Sequence, residues 1–305
     1  MRVEAQSGAN EAEDEMSAPD TGVTMVRTRA ELRAVVRAWR QADETVALVP
    51  TMGALHTGHL SLAARGLERC SRCVMSIFVN PQQFSPTEDF DSYPRTFEDD
   101  VAKFEAVGGH LIWAPTAGEM YPDGFATHVV PGGAAAGLET DFRPHFFRGV
   151  ATVCCKLFTQ TLPDIALFGE KDYQQLCVVT QMVRDLDLPL EIVGCPTVRE
   201  PDGLAMSSRN AYLSADERRT AVAMYAALVD VAANIDAGQP IEAACSDGRS
   251  ALEKAGFGTI DYLAVRDAET FTPVTEPLAR PARVLAAAWL GKTRLIDNIA
   301  CGPST

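Results

Sequence analysis

Between Val23 and Val198, short apolar runs alternate with longer segments whose apolar residues recur every three or four positions. The runs are TVALVP, CVMSIFVN, HLIWAP, DIALFG and LEIVGCPTV. Each is too short for a helix and too uniformly apolar for a strand with one wet face, so each predicts a strand buried on both sides. The segments between them, TRAELRAVVRAW, HLSLAARGLERC, RTFEDDVAKFEAVG, RGVATVCCKLFTQTL and YQQLCVVTQMVRDLDL, carry helical spacing. The first opens with Thr28 and Glu31, a capping-box pair. Strands and helices in strict alternation predict parallel βαβ units, an α/β domain over residues 23–196.

After Pro196 the rhythm changes. Residues 214–238 predict one long helix opened by a second capping box, Ser214 to Glu217, and residues 241–256 predict another. Three strand-like runs follow, TIDYLAVRD, ARVLAAAWLG and TRLIDNIA. Residues 197–305 therefore read as a smaller α+β domain. The first 22 residues are acidic and lack an apolar run, so they read as a flexible tail rather than a signal sequence.

A net charge of −14 excludes general affinity for nucleic acid or anionic membranes, and no apolar run is long enough to span a bilayer. Eight scattered cysteines without a secretion signal fit reduced thiols in a cytoplasmic protein. Cys70 and Cys73 form a CxxC with no second pair, and Cys154 and Cys155 sit in an apolar helical stretch. A core role is the plainer reading of all four.

Candidate chemistry gathers where predicted strands end, the position at which parallel sheets bind ligands. The stretch VPTMGALHTGHL places His56 and His59 around Gly58 at a helix start, where free N–H groups and the helix dipole favour anions. The imidazoles can bind phosphate, or they can be structural caps of that helix; a zinc site would need a third ligand that no nearby spacing supplies. FGEKDYQQ puts Lys171 and Gln175 at a second junction, SIFVNPQQF puts Asn80, Gln82 and Gln83 at a third, and DGLAMSSRN offers Ser207, Ser208 and Arg209 in a glycine-led loop. Each has a bland reading as a solvated turn. GGAAAG, residues 132–137, matches no phosphate-binding fingerprint and reads as a loop.

VPTMGALHTGHLSL, SIFVNPQQF, YPRTFEDD, FGEKDYQQL and DGLAMSSRNAYL, in that order and spacing, resemble the pantothenate synthetases, members of the HxGH nucleotidyltransferase superfamily. The resemblance implies an ATP-dependent ligase that joins (R)-pantoate to β-alanine through an acyl adenylate, releasing AMP and diphosphate. It further implies a Rossmann-like parallel-sheet domain, a C-terminal lid domain, a homodimer, and Mg2+ accompanying ATP, with no metal ligand identified.

Carried onto this chain, ATP would be held by Met52, Gly53, Ala54, Leu55, His56, Thr57, Gly58 and His59. Gly169, Glu170, Lys171, Asp172, Val198, Met206, Ser207, Ser208 and Arg209 would complete that site. His59 takes an acid role, with His56, Lys171, Ser207, Ser208 and Arg209 assisting on the phosphates. Gln83 and Gln175 would bind pantoate with Asn80 close by, and Asp99 and Asp100 match an acidic pair near the substrates. One position departs: the family reads R-P-x-H-F-x-G-V, whereas here Phe146 stands at the histidine position and His145 precedes it. Another HxGH nucleotidyltransferase and a non-catalytic nucleotide-binding protein are the alternative readings.

Overall fold

The computed structural model describes residues 22–86 and 88–303, so the expectation of a flexible tail lies, but for Gly22, outside the described residues. The first half alternates as the sequence pattern requires. Its elements are β1 (Thr24–Val26), α1 (Arg29–Gln41), β2 (Val46–Thr51), α2 (Thr57–Arg69), β3 (Arg72–Ile77), α3 (Phe97–Ala106) and β4 (Leu111–Trp113). Then come the short helices α4 (Ala117–Met120) and α5 (Glu139–Phe142), followed by α6 (Phe146–Thr161), β5 (Ile165–Gly169), α7 (Tyr173–Asp185) and β6 (Glu191–Cys195). The six strands form one parallel sheet in the order β1-β4-β3-β2-β5-β6, a Rossmann-like α/β arrangement.

The strand order fixes where a ligand can enter. From β2 the chain steps outward to β3 and β4, then crosses back to place β5 on the other side of β2. The turns leaving β2 and β5 therefore flank the point at which the winding reverses, and a crevice opens between them. Both faces of the sheet are packed. Leu48, Val74 and Trp113 face the cluster containing α1 and α6, while Val49, Met75 and Leu167 face α2 and α3. This double burial is why β2 to β5 read as continuous apolar runs; β6, expected to be buried on both sides, is a partly exposed edge strand.

The second half contains α8 (Ala215–Ala221), α9 (Ala223–Asp236), α10 (Ile241–Ala255) and the strands β7 (Ile260–Asp267), β8 (Ala282–Leu290) and β9 (Thr293–Cys301). The strands form an antiparallel sheet covered by the helices, with Leu228, Val231, Leu263 and Val284 in a separate core. The long helix expected from Ser214 is in two pieces that meet at Val222, which keeps right-handed dihedrals. The capping boxes at Thr28 and Ser214 both form. β1 was not expected, because three residues carry no period; its pairing with β4 defines it.

The plainer cysteine reading fits the structure. All eight thiols are free, Cys73 and Cys154 are buried, and burial pushes both up to about 12. GGAAAG contains a 3-10 turn and is held by Gln174 and Gln181 of α7, a packing role. No helix among the described residues is long and apolar enough to cross a membrane.

Candidate active site

The turn between β2 and α2 is framed by one buried carboxylate. Asp100 of α3 accepts the amide N–H groups of Ala54 (2.9 Å) and Leu55 (2.7 Å) and the hydroxyl of Thr96 (3.1 Å). Lys103 Nζ donates to the Leu55 carbonyl at 2.8 Å. The turn needs a left-handed Gly53, φ 86°, followed by Ala54 at φ 52°. The positive φ favours glycine at 53, and a Cβ there would also crowd the Asp100 carboxylate at 3.0 Å.

The histidines then form a capping box of their own. His56 Nδ1 accepts the Gly58 N–H at 3.1 Å, and His59 Nδ1 faces the His56 N–H at 3.4 Å, with ring centroids 4.1 Å apart. An accepting Nδ1 places the proton of each neutral ring on Nε2. Burial, with Lys171 nearby, lowers His56 to about 4; burial and the neighbouring His56 lower His59 to about 3. Both rings are thus neutral Nε2–H donors at pH 7. The capping contacts use Nδ1 and leave Nε2 available, so capping does not exclude a phosphate role. His59, expected in an acid role, is thus uncharged in this structure at pH 7.

The β5–α7 turn is held from elsewhere. Asn298 of β9 donates to the carbonyls of Glu170 (2.8 Å) and Lys171 (2.9 Å), and Arg283 of β8 pairs with Glu170 at 2.6 Å. Lys171 Nζ lies 3.4 Å from Asp172 and close enough to both histidines to depress their protonation. Gln174 and Gln175 both line the cleft, and Gln174 is buried with its amide bound to the 134–139 backbone.

The loop between β6 and α8 covers this space. Val198 accepts the Met206 N–H at 3.0 Å, Ser207 caps the turn Ser208–Tyr212, and Ser208 Oγ reaches the Ala54 carbonyl at 3.4 Å. Arg209 differs from expectation. Its guanidinium makes two 3.0 Å bonds to Asp89 and stands over the Tyr93 ring, so it is engaged by a carboxylate rather than free for phosphate.

The cleft has a volume of about 770 Å³. It brings together Met52, His56, Gly58, His59, Gly169, Lys171, Asp172, Gln83, Gln175, Val198 and the 206–209 loop. Gly53, Ala54, Leu55, Thr57 and Glu170, expected at the nucleotide, do not line it. The first three supply the backbone frame, Thr57 is exposed, and Glu170 is occupied by Arg283.

Further expectations need correction. Asn80 borders the cleft, but both its amide hydrogens and its oxygen are already bonded within the chain. Of the acidic pair, Asp99 points outward to Lys103 and Asp100 is the frame of the histidine turn, so neither lines the cleft. Phe146 does line it, with the Arg143 guanidinium 3.9 Å above its ring; His145 lies behind, 3.5 Å from Glu88.

Sequence reasoning missed the groups that close the far end. Glu139 of α5 is buried against Arg294 (2.7 Å) and Tyr262 (2.8 Å), both from the C-terminal sheet. The tell-tale pattern was absent, because these residues lie 123 and 155 positions apart.

The profile of the pantoate-beta-alanine ligase family matches residues 24–300. The chain is 58% identical over 277 residues to the pantothenate synthetase of Bradyrhizobium sp. strain BTAi1, covering 90% of this chain and 98% of that one. It is 56% identical over 283 residues to that of Paramagnetospirillum magneticum, covering 93% and 99%. Among solved structures, pantothenate synthetase from Thermus thermophilus superimposes with a TM-score of 0.85 at 46% identity, covering 91% of this chain and 99% of that one. Pantoate-beta-alanine ligase from Francisella tularensis, complexed with beta-gamma ATP and beta-alanine, gives 0.77 at 30% identity, covering 92% and 100%.

Proposed function

The chain belongs to the pantoate-beta-alanine ligase family and is a pantothenate-forming ligase, and from that premise we propose which residues perform the reaction. One observation carries the assignment. The two turns flanking the reversal of the sheet put two neutral imidazole donors and an ammonium group into one cleft with two glutamine amides.

A carboxylate and an amine do not condense unaided, because the carboxylate resists attack and its oxygen leaves poorly. Adenylation removes both obstacles. In the proposed course a pantoate carboxylate oxygen attacks the α-phosphorus of ATP, and the bond to diphosphate breaks with its electron pair leaving on diphosphate. Charge builds on the phosphoryl oxygens as this happens. His56 and His59 donate from Nε2, Lys171 supplies a full charge, and Ser207 and Ser208 add hydroxyl donors where that charge develops. Arg209 joins them once phosphate displaces Asp89 from its fork. Gln83 and Gln175 hold pantoate.

The β-alanine amine, as its free base, then attacks the activated carbonyl, the bond to AMP breaks with its electron pair on the AMP phosphate, and the proton released by the nitrogen passes to that departing phosphate. No side chain becomes covalently attached. Val198 and Met206 face the nucleotide, and residues 197–305 act as a lid over residues 23–196, excluding water from the mixed anhydride.

Mg2+ fits this cleft as a companion of the triphosphate. Among the described residues no three of His, Cys, Asp or Glu converge on a metal position. Asp172 beside Lys171 is a carboxylate within reach of bound phosphates, the sparse protein share usual for Mg2+. When bound, the ion would neutralise phosphate charge. A homodimer and a cytoplasmic location complete the proposal; eight free thiols fit the latter.

The test is mass spectrometry of AMP and amide product from Mg-ATP, (R)-pantoate and β-alanine, each omitted in turn. Both products should form together only in the complete mixture. His59→Ala and Lys171→Ala should each lower pantoate-dependent diphosphate release by about 10²-fold or more; wild-type rates would remove those roles.

A further inference from the structure

Gln83 can present either end of its amide to a ligand, and the two ends have opposite preferences. The chain leaves no freedom in this choice. Asn80 Oδ1 accepts the backbone N–H of Gln82 at 3.3 Å, and Asn80 Nδ2 donates to the backbone carbonyl of Gly149 at 3.2 Å. A backbone N–H can only donate and a backbone carbonyl can only accept, so the Asn80 amide is locked in one orientation. Its second N–H must donate, and it does so to Gln83 Oε1 at 3.0 Å. The Gln83 carbonyl is thereby turned toward Asn80. What faces the cleft is its NH2, whose partner within the chain is the weakly accepting sulfur of Met52, at 3.2 Å.

The remaining lone pair of Asn80 Oδ1 is taken by the hydroxyl of Tyr121, which donates at 2.7 Å. Tyr121 follows α4 and lies outside the cleft lining, 41 positions from Asn80. Its ring is wedged between Phe78 and Phe125 with Lys156 above it. Burial raises the phenol, so it remains a donor throughout the working pH range. Gly149 completes the arrangement. A Cβ there would stand 2.3 Å from the Gln82 carbonyl, so only glycine lets α6 approach the 80–83 turn this closely.

We propose that Tyr121 is a positioning residue for pantoate: by donating to Asn80 Oδ1 it holds the already oriented Asn80 amide in place and strengthens its bond to Gln83, which turns the Gln83 NH2 toward the carboxylate and hydroxyl oxygens of the substrate. The chain of donation runs in one direction, Tyr121 to Asn80 to Gln83 to substrate, and each bond polarises the next. A flipped Gln83 would point a carbonyl oxygen at a carboxylate and repel it. The inference rests on the reading of Gln83 as a pantoate ligand.

Tyr121→Phe removes the hydroxyl and keeps the ring. Steady-state kinetics of the full-length enzyme should show the KM for pantoate raised about fivefold, with kcat and the KM for ATP within twofold of wild type. Gln83→Ala should raise the same KM further, and adding Tyr121→Phe to Gln83→Ala should then change it by less than twofold, because the hydroxyl acts only through that amide. An unchanged pantoate KM in Tyr121→Phe, or an equal rise in the Gln83→Ala background, overturns the proposal. If Gln83→Ala itself leaves pantoate binding unaltered, the pantoate reading of Gln83 fails first, and that result is distinct from either of the others.

Discussion

The two turns that face each other across the cleft are built in opposite ways. The histidine turn is self-sufficient within the first half of the chain. Asp100 and Lys103 of α3 hold its backbone, and the histidines cap their own helix. The Lys171 turn borrows its support from the second half, through Asn298 and Arg283. One wall is therefore finished as soon as the six-stranded sheet forms. The other has its final shape only when the C-terminal sheet is seated. A site built this way holds its imidazoles from within the first half and ties the position of its ammonium group to the placement of the second half.

The largest test of this contrast is Asp100→Ala. Two buried backbone N–H groups would lose their acceptor, at roughly 2–4 kcal/mol of stability. The histidines would shift, and a displacement near 1 Å can cost roughly 10²-fold in kcat/KM. Urea melts and initial rates check both. A variant with displaced stability and untouched rates would show that the histidines hold themselves in place without α3.

Asn298→Ala should do less and do it selectively. Losing two donors to the Lys171 turn should raise the KM for ATP by about tenfold while the variant still folds. If ATP affinity is unchanged in direct titration, the turn is as self-supporting as its partner and the contrast collapses.

The smallest effect sharpens the comparison from the other side. His56 and His59 ordinarily bind protons near pH 6.5, but in the folded chain they do so only near about 4 and about 3. Between these values the unfolded chain takes up more protons than the folded one, so acid favours unfolding. The histidine turn thus costs nothing above pH 6.5 and weakens the fold progressively as pH falls toward 4. Melting temperatures of a His56→Gln/His59→Gln variant should decline less steeply than wild type across that interval. Phosphate at the Nε2 atoms would raise both proton affinities, so saturating ATP should flatten the wild-type slope.

Much of this molecule is legible in the order of its residues. Strand periods, capping boxes and turn glycines are local: they arise from contacts within a few positions, and reading along the chain recovers them. The six parallel strands, all but the three-residue β1, and the chemical identity of the HxGH and GEKD turns belong to this class. What the sequence could not reveal is which polar groups were already spoken for. Asn80 looks like a substrate ligand until Tyr121, Gln82, Gly149 and Gln83 are seen to exhaust its hydrogen bonds. Arg209 reads as a free phosphate clamp, whereas in the fold Asp89, 120 positions away, already stands in its fork. Asp100 looks like a ligand and proves to be a frame. Residue type and spacing decide what a side chain is able to bind. Only the folded chain decides whether that capacity faces the cleft or is satisfied behind it, because hydrogen bonds saturate and the partners that saturate them come from distant parts of the sequence.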